Sequence, residues 1–140
     1  MYLLDTNVIS ELRKASVKKC HKEVSKWAKT VSSSSLFISV ITILEIETGI
    51  LLVERKDIKQ GALLRLWLEE HVIPAFSDRI ISIDTEIAQR CAQLHVPDPC
   101  PERDSLIAAT ALVHSMTVVT RNISDFESTG VELLNPWNPA

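Results

Sequence analysis

Apolar residues follow two rhythms along this chain. Five short runs are apolar without alternation: Tyr2–Leu4, Leu36–Val40, Ile80–Ile83, Thr117–Thr120 and Val131–Leu134. Runs of this length and continuity predict strands buried on both faces. Between them the apolar positions recur at helical spacing. The pattern predicts helices over Asn7–Leu12, Val17–Thr30, Ile43–Arg55, Ile58–Phe76, Thr85–His95 and from Pro101 to Ser115. Asp5 or Thr6, Thr42 and Asp84 stand where helix caps belong, and Pro101 suits a first helical turn. Gly49 shares a helix face with Glu45 and would let another element pack close. Strands alternating with helices imply an α/β fold, with a parallel sheet covered on both faces.

Composition adds little beyond class. The 140 residues suit one domain, 1–140, and 46% hydrophobic with 24% charged residues is the balance of a globular chain. No run reaches the ~18 apolar residues of a membrane span, and Asp5 sits where a signal peptide would build its apolar core. A cytoplasmic protein is expected. Cys20, Cys91 and Cys100 read as reduced thiols, and Cys91, His95 and Cys100 lack both a C-x-x-C and a fourth ligand for zinc. Net charge is −3, so bulk charge does not hold this protein to nucleic acid. Between Arg13 and Lys29, however, seven basic residues face a single Glu23. That stripe is either a solvated helix face or a phosphate-binding surface.

The candidate chemistry is acidic. Ligands of open parallel sheets gather at the carboxyl ends of the strands, and Asp5 directly follows the first strand. Glu45 lies in an apolar helical segment, Ile41-Thr42-Ile43-Leu44-Glu45-Ile46, and needs a partner there. Asp104 opens an apolar helix just before the fourth strand. Asn122 and Asp125 follow that strand in the loop Thr120-Arg121-Asn122-Ile123-Ser124-Asp125-Phe126. Taken singly, each has a structural use: helix cap, dipole partner, ion pair or turn residue. Gathered at one edge they would raise one another's pKa unless a divalent cation held them. Oxygen ligands without Cys or His suit Mg²⁺ or Mn²⁺.

The blocks L-L-D-T-N-V-I-S-E at 3–11, T-I-L-E-I-E-T-G at 42–49, D-S-L-I-A-A-T-A-L at 104–112 and T-R-N-I-S-D-F-E-S-T-G-V-E-L-L-N-P-W at 120–137 carry a resemblance. In order and spacing the chain resembles PIN-domain ribonucleases, specifically the VapC-type toxins of bacterial toxin–antitoxin pairs, including the FitB-like branch. The resemblance implies a PIN-like α/β/α sandwich: a central, mostly parallel sheet of four to five strands with helices on both faces. It implies a Mg²⁺- or Mn²⁺-dependent endoribonuclease with Asp5, Glu45 and Asp104 in its pocket. Asp5 and Asp104 are expected to contact metal, and Glu45 to orient or deprotonate the attacking water. Where some members carry Asp after T-R, this chain has Asn122, so the fourth position is Asn122 or Asp125. Thr6, Thr120, Arg121, Lys18 and Lys19 are expected to contact substrate. The resemblance also implies a homodimer or larger assembly, neutralised by a VapB-like antitoxin, with operator DNA reached only through that antitoxin. Leu66 and Trp67 are candidates for the antitoxin groove.

Rival readings remain. Asp5-Thr6-Asn7 departs from the D-x-D of haloacid-dehalogenase phosphatases at Asn7. A receiver domain would want a lysine after the last strand, and Val131–Ala140 contains none. A metal-dependent DNA nuclease and a catalytically inactive PIN-fold binding module share all the acids.

Overall fold

A computed structural model describes residues 1–139. Five parallel strands form one sheet in the order β3-β2-β1-β4-β5: β1 Tyr2–Leu4, β2 Leu36–Ser39, β3 Ile80–Ile81, β4 Thr117–Val119 and β5 Leu133–Leu134. The register sets Leu3 against Phe37 and Val118, and Leu4 against Val119. Alternation along β1 then supplies two cores. Leu4, Ile38 and Val119 face one cluster with Val8, Ile46 and Ile50, while Leu3 and Val118 face another with Ile107, Ala108 and Phe126. Both faces are covered, which is why these strands read as unbroken apolar runs.

The helices are α1 Thr6–Arg13, α2 Lys22–Thr30, α3 Val40–Glu54, α4 Ile58–Trp67, α5 Thr85–Leu94 and α6 Glu102–His114. After Trp67 the chain runs on through a π-helical stretch, Leu68–Val72, and a last turn, Ile73–Ala75. The α5 and α6 helices meet through Ile87, Cys91 and Ala109.

Four sequence expectations are corrected here. The helix predicted from Val17 begins only at Lys22. A 3-10 turn, Lys14–Val17, precedes it, and Lys18 breaks the path with a left-handed φ of 58°. Ser39, not Thr42, caps α3: its Oγ accepts from the Ile41 N–H at 3.0 Å, and Thr42 lies buried inside the helix. The fifth strand is shorter than predicted, because Gly130 turns the chain with φ 76° and Val131 packs as a core residue before pairing starts. Close approach of α3 and α4 occurs at Gly61 rather than Gly49. A Cβ at Gly61 would lie 2.8 Å from the Glu54 Cα, whereas one at Gly49 meets nothing within 4 Å. Arg65 fastens the same pair of helices by donating to Glu47 at 2.6 Å and Glu54 at 3.1 Å.

Candidate active site

Strand β1 delivers Asp5 directly to the carboxyl edge. Its backbone N–H donates to the Val119 carbonyl at 2.9 Å, extending the β1–β4 pairing by one residue. The side chain then caps α1, with Oδ1 accepting from the Thr6 N–H at 2.8 Å. The second oxygen, Oδ2, accepts from the Thr120 hydroxyl at 2.8 Å and from the Asn7 amide at 3.2 Å. Asp5 is 6% exposed, so its position is fixed rather than sampled.

Asn7 ties the two strand ends together, and sequence reasoning did not single it out. Its Nδ2 donates to Asp5 and to Thr120, while its Oδ1 accepts from the Arg121 N–H at 3.1 Å. The signal was available in the D-T-N triplet: an amide two residues after a carboxylate has both a donor and an acceptor to offer. Thr6 and Thr120 each give their hydroxyl proton to an acid. Thr6 donates its hydroxyl to Glu45 Oε1 at 2.7 Å, and the Thr120 hydroxyl donates to Asp5 while accepting from Asn7 and the Asn122 N–H. Each threonine proton is committed to a carboxylate, so both residues position acids.

Glu45 reaches this edge from α3. Glu47, two residues on, is held by Arg65 on the α4 side. Arg103 on α6 stands 4.0 Å from Glu45, the limit of an ion pair. Asp104 enters from the first turn of α6. Its carboxyl is pushed up to about 6, first by burial and then by the charges of Asp5, Asp125 and Glu45. Burial likewise raises Asp5; hydrogen bonds from Thr120 and Thr6 oppose this, and the charges of Glu45 and Asp125 add to it. Four carboxylates from distant parts of the chain therefore lie within one another's field. Asp125 acts on both Asp5 and Asp104, whereas Asn122 enters the network through its backbone N–H.

Among the described residues, no three acids already converge as a ready coordination shell. The donor set still fits a hard cation. It is all oxygen and mutually repelling, and Asp104 is half-buried while Asp125 is exposed, so solvent-side space for a cation remains beside them. Cys91 and His95 instead meet at the Ser105 hydroxyl, at 3.4 Å and 2.9 Å, and the other His95 ring nitrogen accepts from the Cys100 N–H.

Repulsion has a measurable consequence in metal-free protein. A carboxyl whose folded pKa exceeds its unfolded value holds extra protons when folded, so stability falls as pH rises between the two values. For Asp104 that window runs from 3.8 to about 6. The expected loss is about 1 kcal/mol, well below the ~3 kcal/mol of a fully buried group, because solvent screens Asp104. Chemical denaturation in EDTA across this window should show that fall in the parent and a flatter profile in Asp104→Asn. Parallel profiles would contradict it.

Lys18 and Lys19 do not share one stripe. The left-handed turn at Lys18 sends Lys18 to a cleft beside α2 and Lys19 to a cleft with Arg13 and Trp67. Arg13 and Trp67 also line a third cleft, which reaches Thr6 and Glu45.

The sequence pattern of the PIN domain matches residues 2–131. The chain belongs to the PIN-domain family. Among relatives of this PIN domain, "VapC ribonuclease Y4jK" of Sinorhizobium fredii is 34% identical, over 100% of both chains. "Toxin FitB" of Neisseria gonorrhoeae is 33% identical, over 99% of each. The crystal structure of FitAcB from Neisseria gonorrhoeae superposes with a TM-score of 0.88 at 33% identity, covering 99% of this PIN domain and 100% of that chain. The five-stranded sheet and its helical layers are thus those of the α/β/α sandwich expected from the sequence.

Proposed function

We propose that this PIN domain is a divalent-metal-dependent endoribonuclease, the toxin of a toxin–antitoxin pair. One observation carries the reading: Asp5, Glu45, Asp104 and Asp125 converge electrostatically at the carboxyl edge of the sheet, and among the described residues the one cation within ion-pair distance of any of them is Arg103, at Glu45. The names and titles of its relatives supply the direction, ribonuclease and toxin.

Asp5, Asp104 and Asp125 would hold Mg²⁺ or Mn²⁺, with Asn122 at the margin. The cation would supply charge neutralisation at the scissile phosphate and acidify water. Asp5 is held rigid by Thr6, Asn7 and Thr120, which sets the reference point of the site. Glu45 keeps Oε1 on the Thr6 hydroxyl, and Oε2, 4.0 Å from Arg103, is the oxygen that would orient a water and take its proton. Arg121, whose backbone N–H donates to Asn7, would meet the RNA beside this centre.

The partner would be a VapB-like antitoxin lying over α3 and α4. Leu51, Leu52, Leu63 and Leu66 are exposed there, and the cleft containing Trp67 leads to Glu45. Operator DNA would be contacted through that antitoxin, and the toxin would pair as a homodimer.

Incubation of the purified protein with labelled single-stranded RNA or DNA, with Mg²⁺ or EDTA, is the direct test. RNA fragments that form only with the metal are expected. Cleavage of DNA alone would move the reading to a DNA nuclease, and no cleavage of either to an inactive binding module.

A further inference from the structure

Arg121 and the lysines of α2 lie on one route away from the acids. Arg121 touches the centre through its backbone: its N–H donates to Asn7, which donates to Asp5. Its guanidinium lies over the Trp137 indole, 5.3 Å from the ring centroid, within cation–π range. Arg121 is exposed, and among the described residues no acid pairs with it. Trp137 also neighbours His21, with ring centroids 6.4 Å apart.

His21 caps α2, its Nδ1 accepting from the Glu23 N–H, so a neutral ring carries its proton on Nε2. From His21 the helix runs ~13 Å, with Lys22, Lys26 and Lys29 on one face. These three and Lys18 line a cleft of about 830 Å³. Among the described residues none of the four lysines makes an ion pair, whereas Lys14 nearby is bound to Glu11. Four unpaired ammonium groups around one cleft make a local positive field that a polyanion, bridging several of them and releasing their counterions, meets favourably.

We propose that Arg121, braced on Trp137, and the α2 lysines form a binding track for single-stranded RNA leading away from the acidic centre. The track rests on the nuclease reading above and adds the substrate's direction and form. A guanidinium plane backed by an indole offers a stacking surface for an unpaired base, and the lysines meet the phosphates that follow. A duplex keeps its bases stacked and cannot present one to Arg121. Trp137 acts through Arg121 and is a positioning residue.

The test is the binding of a short, fluorescein-labelled single-stranded oligoribonucleotide in EDTA, where no cutting competes. Lys22→Glu combined with Lys26→Glu is expected to weaken binding at least tenfold and to reduce the slope of log K against log salt by about 1.4, two phosphate contacts' worth. The same reversal at Lys56, in the turn between α3 and α4, and at Lys59, in the first turn of α4, is the control and should change neither. Trp137→Leu is expected to weaken binding about tenfold. Trp137→Phe, which keeps a ring under Arg121, should restore most of it; a purely packing role for Trp137 would leave binding by the folded Leu variant unchanged.

Unchanged affinity and salt slope in the double reversal would overturn the track while leaving cleavage, and so the nuclease reading, standing. Equal competition by an acidic peptide or by duplex RNA would overturn it too, giving the cleft to another ligand. Parental protein that binds the strand through these residues but cuts no RNA with Mg²⁺ would fail the nuclease reading alone.

Discussion

Replacing Asp5 by Asn is expected to leave the protein folded and slow RNA cleavage at least ~10³-fold. The amide keeps the carboxylate's shape and one of its bonds, since Oδ1 can still accept from the Thr6 N–H. What changes is the other position. There Oδ2 accepts from Thr120 and Asn7, and an NH₂ group would face the Asn7 amide donor to donor. That crowding costs about 1–2 kcal/mol, and removing a buried charge whose pKa is already raised offsets part of it. Stability should therefore move little while the centre loses its most rigid negative oxygen. Initial rates on labelled RNA, with circular dichroism and thermal melts on the same samples, check both halves. A folded Asp5→Asn protein cutting at the parental rate would remove Asp5 from the chemistry.

Adding Mg²⁺ to metal-free protein at neutral pH is expected to raise its melting temperature by about 8 °C at a hundredfold excess over the dissociation constant. Binding at that excess adds ~2.7 kcal/mol, and a chain of this size shifts by ~3 °C per kcal/mol. The repulsion among Asp5, Glu45, Asp104 and Asp125 that exists without the cation is what gives the folded protein its affinity for one. In Asp104→Asn most of the shift should disappear, though that variant also gives up a favourable charge in the first turn of α6. Differential scanning with Mg²⁺, Mn²⁺ and EDTA reads this without any substrate. A parent whose melting point ignores both metals would contradict the proposed role of these acids.

The layering of the fold was legible in the sequence because its strands are buried on both sides and so spell themselves out as apolar runs. Glu45 could be separated from Glu47 by its apolar neighbours, and the structure sets Glu47 on Arg65. Backbone reversals were less visible. Lys18 adopts a left-handed conformation without being Gly or Asn, and nothing in its type announces that. The cap of α3 was misread because Ser39 and Thr42 carry equivalent hydroxyls, and only the end of β2 decides between them. Gly61 could not be told from Gly49, since the partner it admits, Glu54, comes from the preceding helix. The bracing of Arg121 by Trp137 joins a loop to the tail, and no local pattern encodes such a contact.

The pairing of β1 with β4 has a consequence for when the acidic edge can form. Asp5 precedes its hydroxyl donor, Thr120, by 115 residues, and the carbonyl that anchors its backbone belongs to Val119, beside that donor. A nascent polypeptide or a prematurely terminated fragment lacks that closure and carries only a loose carboxylate. On this architecture the acidic edge is complete only after β4 has docked beside β1, so a chain cut short before that strand holds no fixed Asp5.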